Sequence, residues 1–313
     1  MSDITPFEIT GADTSRHPHD EGDDSWQESF FLGWTDIRQG VCGHHHISLC
    51  PYLGKAHVWS WLMVDGVEIA REQEHALDLP DMDLRDMKLG GLHVRAGDSI
   101  REVAYKVAFE NALADVNYTA FIDPVHLAIN TGKLKLGSKH YESMGSVTGT
   151  VTVGERVIRI NGTGWQDHSW GPRRLASNPA GRWVFAVFGS DLAFSLYVLA
   201  TAGETLVFGY VLDKGVVDQI DVAQTNFTIA DDGISARGCD AEIWTRSGRA
   251  WRVTGKAVGH APVGGPGWTG DGVHWWMDAL TRFECGGRIG GGILEVSTLK
   301  TPPETISGAL RLP

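Results

Sequence analysis

The sequence predicts an all-β protein built from antiparallel barrels or sandwiches, and three observations carry that prediction. Short runs rich in β-branched and aromatic residues recur along the chain, Gly, Asp, Asn or Ser punctuates them at hairpin spacing, and no long segment repeats its apolar residues with a helical period. Many strands with many glycine turns and almost no helix leave barrels and sandwiches as the architectures that fit. The chain has 313 residues. Single cores stop growing at roughly 250–300 residues, so two consecutive domains are expected. The loop around Thr131 to Gly145 divides them into residues 1–145 and 146–313.

Taken in order, the first 30 residues are acidic (HPHDEGDDSWQESF) and read as irregular until Trp26 and Phe30 dock. His57 to Ala70 reads as strand, turn and strand, broken at Asp65-Gly66, a dipeptide suited to a tight hairpin. Glu72 to Asp78 and Pro80 to Leu89 are the two segments that could form short helices. Strand-rich units follow at Ser99 to Asn111, Ser146 to Gly162, Arg182 to Gly215, Ala241 to Val258 and Val273 to Gly287. The loop from Gly259 to Trp268 is too rich in Gly and Pro for regular structure, and is read as a lid or a crossing over a barrel end.

Composition excludes several function classes. Hydrophobic residues make up 42% and charged residues 21%, as in globular proteins, and no apolar run reaches the roughly 18 residues of a membrane span. A net charge of −12 without a basic stripe argues against a nucleic-acid partner. The start, MSDITPFEIT, lacks the basic and apolar regions of a secretory leader, so a cytoplasmic protein is expected, with Cys42, Cys50, Cys239 and Cys285 as thiols.

GWQDHSWGPR, Gly164 to Arg173, concentrates an acid, an imidazole, a hydroxyl and two indoles in ten residues. It follows a strand ending at Ile160 and an expected turn at Asn161 to Gly164. On a strand, alternation puts His168 and Trp170 on one face and Trp165, Asp167 and Ser169 on the other. That rules out a local Asp-His-Ser triad, whose members must lie within hydrogen-bond reach. A bulge near the glycines would be needed to bring Asp167 and His168 into one cavity; without it, His168 and Trp170 are expected in the pocket, supported by Asp167 or Arg173, with the proton donor supplied by another strand.

Other candidates lie on later strands. In VHWWMDAL, His274, Trp276 and Asp278 share a face and Trp275 and Met277 the opposite one. In GSDLAFSLYVL, Asp191 and Tyr197 share a parity, although an Asp after Gly-Ser also reads as a turn former. The indoles of Trp165, Trp170, Trp183, Trp275 and Trp276 either line a pocket or pack the core. CGHHHISLC invites zinc through His44, His46 and His57, but three convergent ligands would be required, and adjacent histidines on an exposed β edge explain the run without a metal. Either Glu142 or Glu295 reads as a buried acid in a structural pair with Arg173.

The segment from Glu142 through Gly145 and Gly149 to GTGWQDHSWGPR resembles the Asp-His-Ser-Trp-Gly-x-Arg signature of the lipocalin-like superfamily that includes carotenoid 1,2-hydratase, the AttH-type proteins, fungal kievitone hydratase and fungal pericyclases. DDSWQESFFLGWTD near the start and GGRIGGGILEVS, Gly286 to Ser297, are similar to the ends of bacterial members, so the resemblance spans most of the chain. It implies two lipocalin-like β domains with an apolar ligand cavity near their junction. It also implies hydratase chemistry, in which water adds across an alkene of an isoprenoid chain. The Tyr-x-Asp-type pair that follows the histidine motif in the hydratases has no counterpart after Trp170.

Such chemistry needs a carboxylic acid kept neutral by burial, aromatic faces for the cation and a base to aim water. On this reading Asp167 is the proton donor or orients it, His168 is the base or positions the water, and Trp170 is the cation-facing wall. Trp165, Trp183, Tyr197, Trp276, Asp278 and His274 hold a hydrophobic small molecule, and no cofactor or metal is called for. A cyclase or isomerase working in the same cavity, and a carrier that does no chemistry, are the competing expectations.

Overall fold

The computed structural model describes residues 9–19, 24–81, 83–97, 99–127, 129, 134, 136–174, 178–201, 203–264 and 274–299. Within them the chain is almost entirely β, with 3-10 turns at Gly11–Thr14 and Pro51–Leu53 and no α-helix. No helix among the described residues is long and apolar enough to cross a membrane. The four cysteines are free thiols, three of them buried.

Two compact units divide at Arg174/Leu175, the hairpin tip Asp65–Val67 apart. The first holds β1 (Trp26–Asp36), β2 (Val41–Cys50), β3 (Lys55–Val64), β4 (Val67–Asp78), β5 (Asp86–Leu89), β6 (Leu92–Ala96), β7 (Glu102–Ala108), β8 (Ala112–Ala120), β9 (Val125–His126), β10 (Lys139–Val153) and β11 (Arg156–Pro172). The second holds β12 (Ala180–Val187), β13 (Leu192–Thr201), β14 (Glu204–Asp213), β15 (Val216–Ile229), β16 (Ala236–Thr245), β17 (Ala250–Gly264), β18 (His274–Cys285) and β19 (Arg288–Leu299).

In the first unit one sheet runs β4-β3-β2-β1-β11-β10-β8-β7-β6-β5, with β9 beside β10. It curls around a core to which distant strands contribute, including Phe30, Leu32, Val58, Tyr105, Val116 and Val147. In the second unit β12 to β19 pair in chain order and β12 closes on β19, which makes an eight-stranded barrel. Val184, Phe194, Val211, Ile243, Phe283 and Val296 fill its interior. Closure removes the sheet edges at which strands otherwise recruit other chains.

The all-β, two-domain prediction agrees with this fold, and Asp65-Gly66 forms its tight hairpin, both residues at positive φ (52° and 78°). Several expectations about local structure need correction. The units divide near residue 174 rather than 145, because β10 and β11 pair with β8 and β1 and so belong to the first sheet. Lys139 to Gly145, read as loop, is the first half of β10. Glu72 to Asp78 lies in β4, and the stretch from Pro80 to Leu89 ends in β5; pairing within the sheet overrides their weak helical preference. Of the Gly/Pro-rich stretch read as a lid or crossing, Gly259 to Gly264 continue β17, and the remainder to Trp268 lies outside the described residues.

The turn expected at Asn161 to Gly164 is absent, since β11 continues unbroken from Arg156 to Pro172. Gly162 serves close approach instead. A Cβ there would stand 2.2 Å from the Thr35 carbonyl oxygen, so a side chain would push β1 away.

Candidate functional site: the two faces of the motif strand

The motif lies in β11, between β1 and β10. Without a bulge in the register, Asp167 stands opposite Phe31 on one side and Glu142 on the other, while His168 stands opposite Phe30 and Tyr141. Alternation therefore places Asp167 and His168 on opposite faces of the sheet, and the two do not share a cavity. The expectation that Asp167, His168 and Trp170 act together is corrected on this geometry: His168 and Trp170 lie on the core face, Asp167 and Trp165 on the other.

On the core face His168 is fully buried. Its Nδ1 lies 2.9 Å from the Asp13 carbonyl oxygen, which can only accept, so this nitrogen carries a proton. Its Nε2 lies 2.9 Å from Glu28 Oε1. The same oxygen is 2.8 Å from His17 Nδ1, and His17 Nε2 is 3.1 Å from Asp13 Oδ1. Trp170 lies flat on the His17 ring, with centroids 3.7 Å apart and 6° between planes.

Thr10 caps the short turn at Gly11–Thr14 and, with Asp13, completes a capping box that holds this N-terminal segment in shape. Burial works against a charged Glu28, but hydrogen bonds from His168 and His17 outweigh it and hold the carboxyl at about 2. Burial likewise opposes charge on His17, and its carboxylate partners prevail, raising its pKa. His168 is thus fully enclosed, with both ring nitrogens held, and links β11 to β1 and to the N-terminal segment.

The opposite face carries three parallel rows across β10, β11, β1, β2 and β3. In register they read His140, Ser169, Ser29, Ser48, His57; then Glu142, Asp167, Phe31, His46, Trp59; then Met144, Trp165, Gly33, His44, Trp61. His46 packs on Trp59 at 3.9 Å and Phe31 on His44 at 4.5 Å between ring centroids. Asp167 keeps part of its surface accessible and makes no hydrogen bond among the described residues.

Desolvation by the surrounding protein is the main cause that pushes the Asp167 carboxyl up to about 7. Glu142 beside it adds to the rise, while His140 and Arg173 oppose it. Burial drives His44 and His46 well below the usual histidine range, so both are neutral rings. His46 Nε2, Trp61 Nε1 and His140 Nδ1 are buried without a hydrogen-bond partner among the described residues. Each such group costs roughly 1–3 kcal/mol when left unpaired.

This face also settles the neighbouring expectations. The histidine run does not lie on an exposed edge, because β2 pairs with both β1 and β3 and all three rings are buried. Glu142 pairs with His140 Nε2 at 3.1 Å rather than with Arg173. Arg173 donates instead to Ser29 Oγ at 3.1 Å, to the Leu136 carbonyl at 2.9 Å and to Ser169 Oγ.

In the barrel, Trp183 stacks on Tyr197 at 5.2 Å and Tyr197 on Phe208 at 5.0 Å, on the strand faces that alternate with the core residues, and Trp183 and Phe208 are buried there. Asp278 is fully buried and stands opposite Glu295, which stands opposite Trp183. Trp276 shares the Asp278 face and Trp275 the other, as alternation predicts; the His274 side chain lies outside the described residues. Asp191 is a turn residue that binds Arg288 at 2.6 Å.

Sequence reasoning missed Glu28, His17, Tyr141, Trp59 and Trp61 as site residues, and raised His46 only as a metal ligand. Alternation along β1 could have grouped Glu28 with Phe30, and alternation along β3 could have grouped Trp59 with Trp61. Tyr141 meets β11 through the adjacent β10–β11 hairpin, but the others reach it through contacts more than a hundred residues apart in sequence, which no local pattern reveals.

A curled sheet and a closed barrel, each antiparallel and apolar inside, define a two-domain protein of lipocalin-like fold. The chain belongs to the DUF7064 family, a domain of unknown function, whose model matches residues 10–300. No curated protein matches it in sequence. Among solved structures it is similar to kievitone hydratase from Nectria haematococca (12% identity, 94% of this chain and 93% of that one, TM-score 0.63). It is also similar to an AttH-type protein of Nitrosomonas europaea (12%, 90% and 95%, TM-score 0.60) and to CghA (11%, 89% and 89%, TM-score 0.59). At these identities the likeness shows the fold.

Proposed function

We propose that the protein is an acid–base enzyme of the hydro-lyase type that adds water to, or removes it from, an alkene of a hydrophobic isoprenoid or prenylated molecule, with Asp167 as the proton donor. One observation carries the reading: Asp167 is a partly accessible carboxyl, without a hydrogen bond among the described residues and with its pKa raised to about 7, on a sheet face dense in aromatic rings. A carboxyl of that kind is still protonated near neutrality and acidic enough to give its proton up.

In the forward direction the Asp167 proton passes to one alkene carbon and leaves a cation on the other. The faces of Phe31, Trp59 and Trp61 oppose that charge through their quadrupoles, each contributing about 0.5–2 kcal/mol. Water then bonds to the cation. Its proton goes to His140 Nδ1, and the His140–Glu142 pair beside Asp167 returns it to the acid. His140 takes the base role assigned from sequence to His168. The kievitone hydratase likeness supports the reaction class, and no step needs a redox group.

The test is mass spectrometry of products formed in isotopically labelled water from a panel of prenylated phenols, acyclic terpenoids and steroid-like alkenes. Labelled oxygen in a product supports a hydratase. Deuterium alone replaces it with an isomerase or cyclase on the same face. Tight binding with no label in any product replaces the hydratase with a carrier or a pericyclase.

A further inference from the structure

The core-face cluster of the first unit has a geometry that the proposed reaction does not use. One ligand atom from each of His17, Glu28 and His168 lies within 4.8 Å of the other two. Both near nitrogens point at the same carboxylate oxygen, at 2.8 and 2.9 Å. Both far nitrogens are held by one residue: His168 Nδ1 by the Asp13 carbonyl at 2.9 Å, and His17 Nε2 by Asp13 Oδ1 at 3.1 Å. The second carboxylate oxygen, Glu28 Oε2, accepts the His17 backbone N–H at 3.2 Å. Tyr141 adds a hydrogen bond to the Asp13 carbonyl at 3.2 Å.

That pattern is the one by which proteins orient metal-ligating histidines: the ring nitrogen away from the ion donates to a carbonyl or carboxylate, which fixes tautomer and direction. We infer that His17 Nδ1, Glu28 and His168 Nε2 form a binding site for one divalent transition cation of the zinc class, which pins the N-terminal segment to β1 and β11. Two imidazoles and one carboxylate are a ligand set that zinc accepts, with a fourth position open to water.

Distance permits it. Zinc-ligand bonds of about 2.0–2.2 Å at tetrahedral angles set ligand atoms about 3.3 Å apart, so each near nitrogen moves outward by roughly half an ångström. His17 can make that movement, since it sits on a short N-terminal segment outside the sheet and retains 15% of its side-chain exposure.

The experiment uses the full chain without a polyhistidine tag, stripped with chelator and titrated with Co2+ and then Zn2+ by calorimetry and visible absorption. One equivalent is expected to bind with tetrahedral Co2+ bands that Zn2+ displaces. His17→Ala, at a position that the sheet does not need for folding, is expected to abolish the bands. Asp13→Asn is expected to weaken binding about 10–100-fold. His93→Ala removes a partly exposed histidine that pairs with Asp86, away from the cluster, and is expected to leave both unchanged. Absence of saturable binding at one equivalent, or binding by His17→Ala equal to wild type, overturns the site and leaves the cluster as a purely proton-held tether.

Discussion

Asp167 and His168 are neighbours in sequence and opposites in environment. On the core face His168 is sealed, and both its nitrogens face fixed acceptors, Glu28 and the Asp13 carbonyl. On the other face Asp167 keeps some accessibility, makes no hydrogen bond among the described residues and stands beside a second carboxyl, that of Glu142. The difference teaches that burial does not by itself mark a working group. A paired buried group is spent on holding the fold, whereas an unpaired one with a shifted pKa retains chemistry to perform. One strand supplies both because successive residues face opposite ways.

The sharpest way to break this comparison is Asp167→Asn. It is expected to lower label incorporation by about 10²–10⁴-fold, the usual contribution of a positioned acid, with folding retained. If turnover survives, Asp167 is not the donor. His168→Ala is the reciprocal test. It strands the Glu28 carboxylate and is expected to cost about 3–5 kcal/mol in denaturant unfolding, while turnover per folded molecule stays near wild type. A selective loss of turnover with stability intact would return His168 to the chemistry.

A smaller effect is expected at Gly33, over which the Trp165 ring lies. A Cβ there would come within 2.4 Å of the indole, so Gly33→Ala should cost about 1–3 kcal/mol and disturb the Asp167 face without touching the tether. Calorimetric melting together with His17–Trp170 contacts seen by NMR would check that separation.

The pH dependence of stability refines the comparison further. The folded pKa of Asp167, about 7, lies above its ordinary value of 3.8. Its contribution is therefore fully present below 3.8 and is lost as pH rises through 7, the folded state being the one that keeps the proton. Melting temperatures measured from pH 4 to 8 should fall for wild type relative to Asp167→Asn. Turnover that depends on the protonated acid should decline above pH 7 in the same samples. Curves that stay parallel would mean that Asp167 titrates as an ordinary carboxylate.

Much of the fold is legible in the residues, and the site only in part. Alternation within GWQDHSWGPR separates Asp167 from His168 with no knowledge of the strands on either side, and alternation in VHWWMDAL sorts Trp275 from Trp276. The glycines mislead: Gly162 and Gly164 read as a turn, yet they let β11 run straight past β1 at close range. The histidine run misleads as well. His44, His45 and His46 read as an exposed edge because nothing local says that β1 and β3 flank β2 on both sides.

What the sequence determined by itself is the β class and the facing of each side chain within its own strand, because both follow from local periodicity and turn chemistry. What only the tertiary structure decided is which faces meet. Glu28 reaches His168 across 140 residues, and Glu142, Phe31, His46 and Trp59 line up with Asp167 through strand pairing. Register between distant strands is fixed by the summed burial and hydrogen bonding of the whole sheet, so no short stretch of chain contains it.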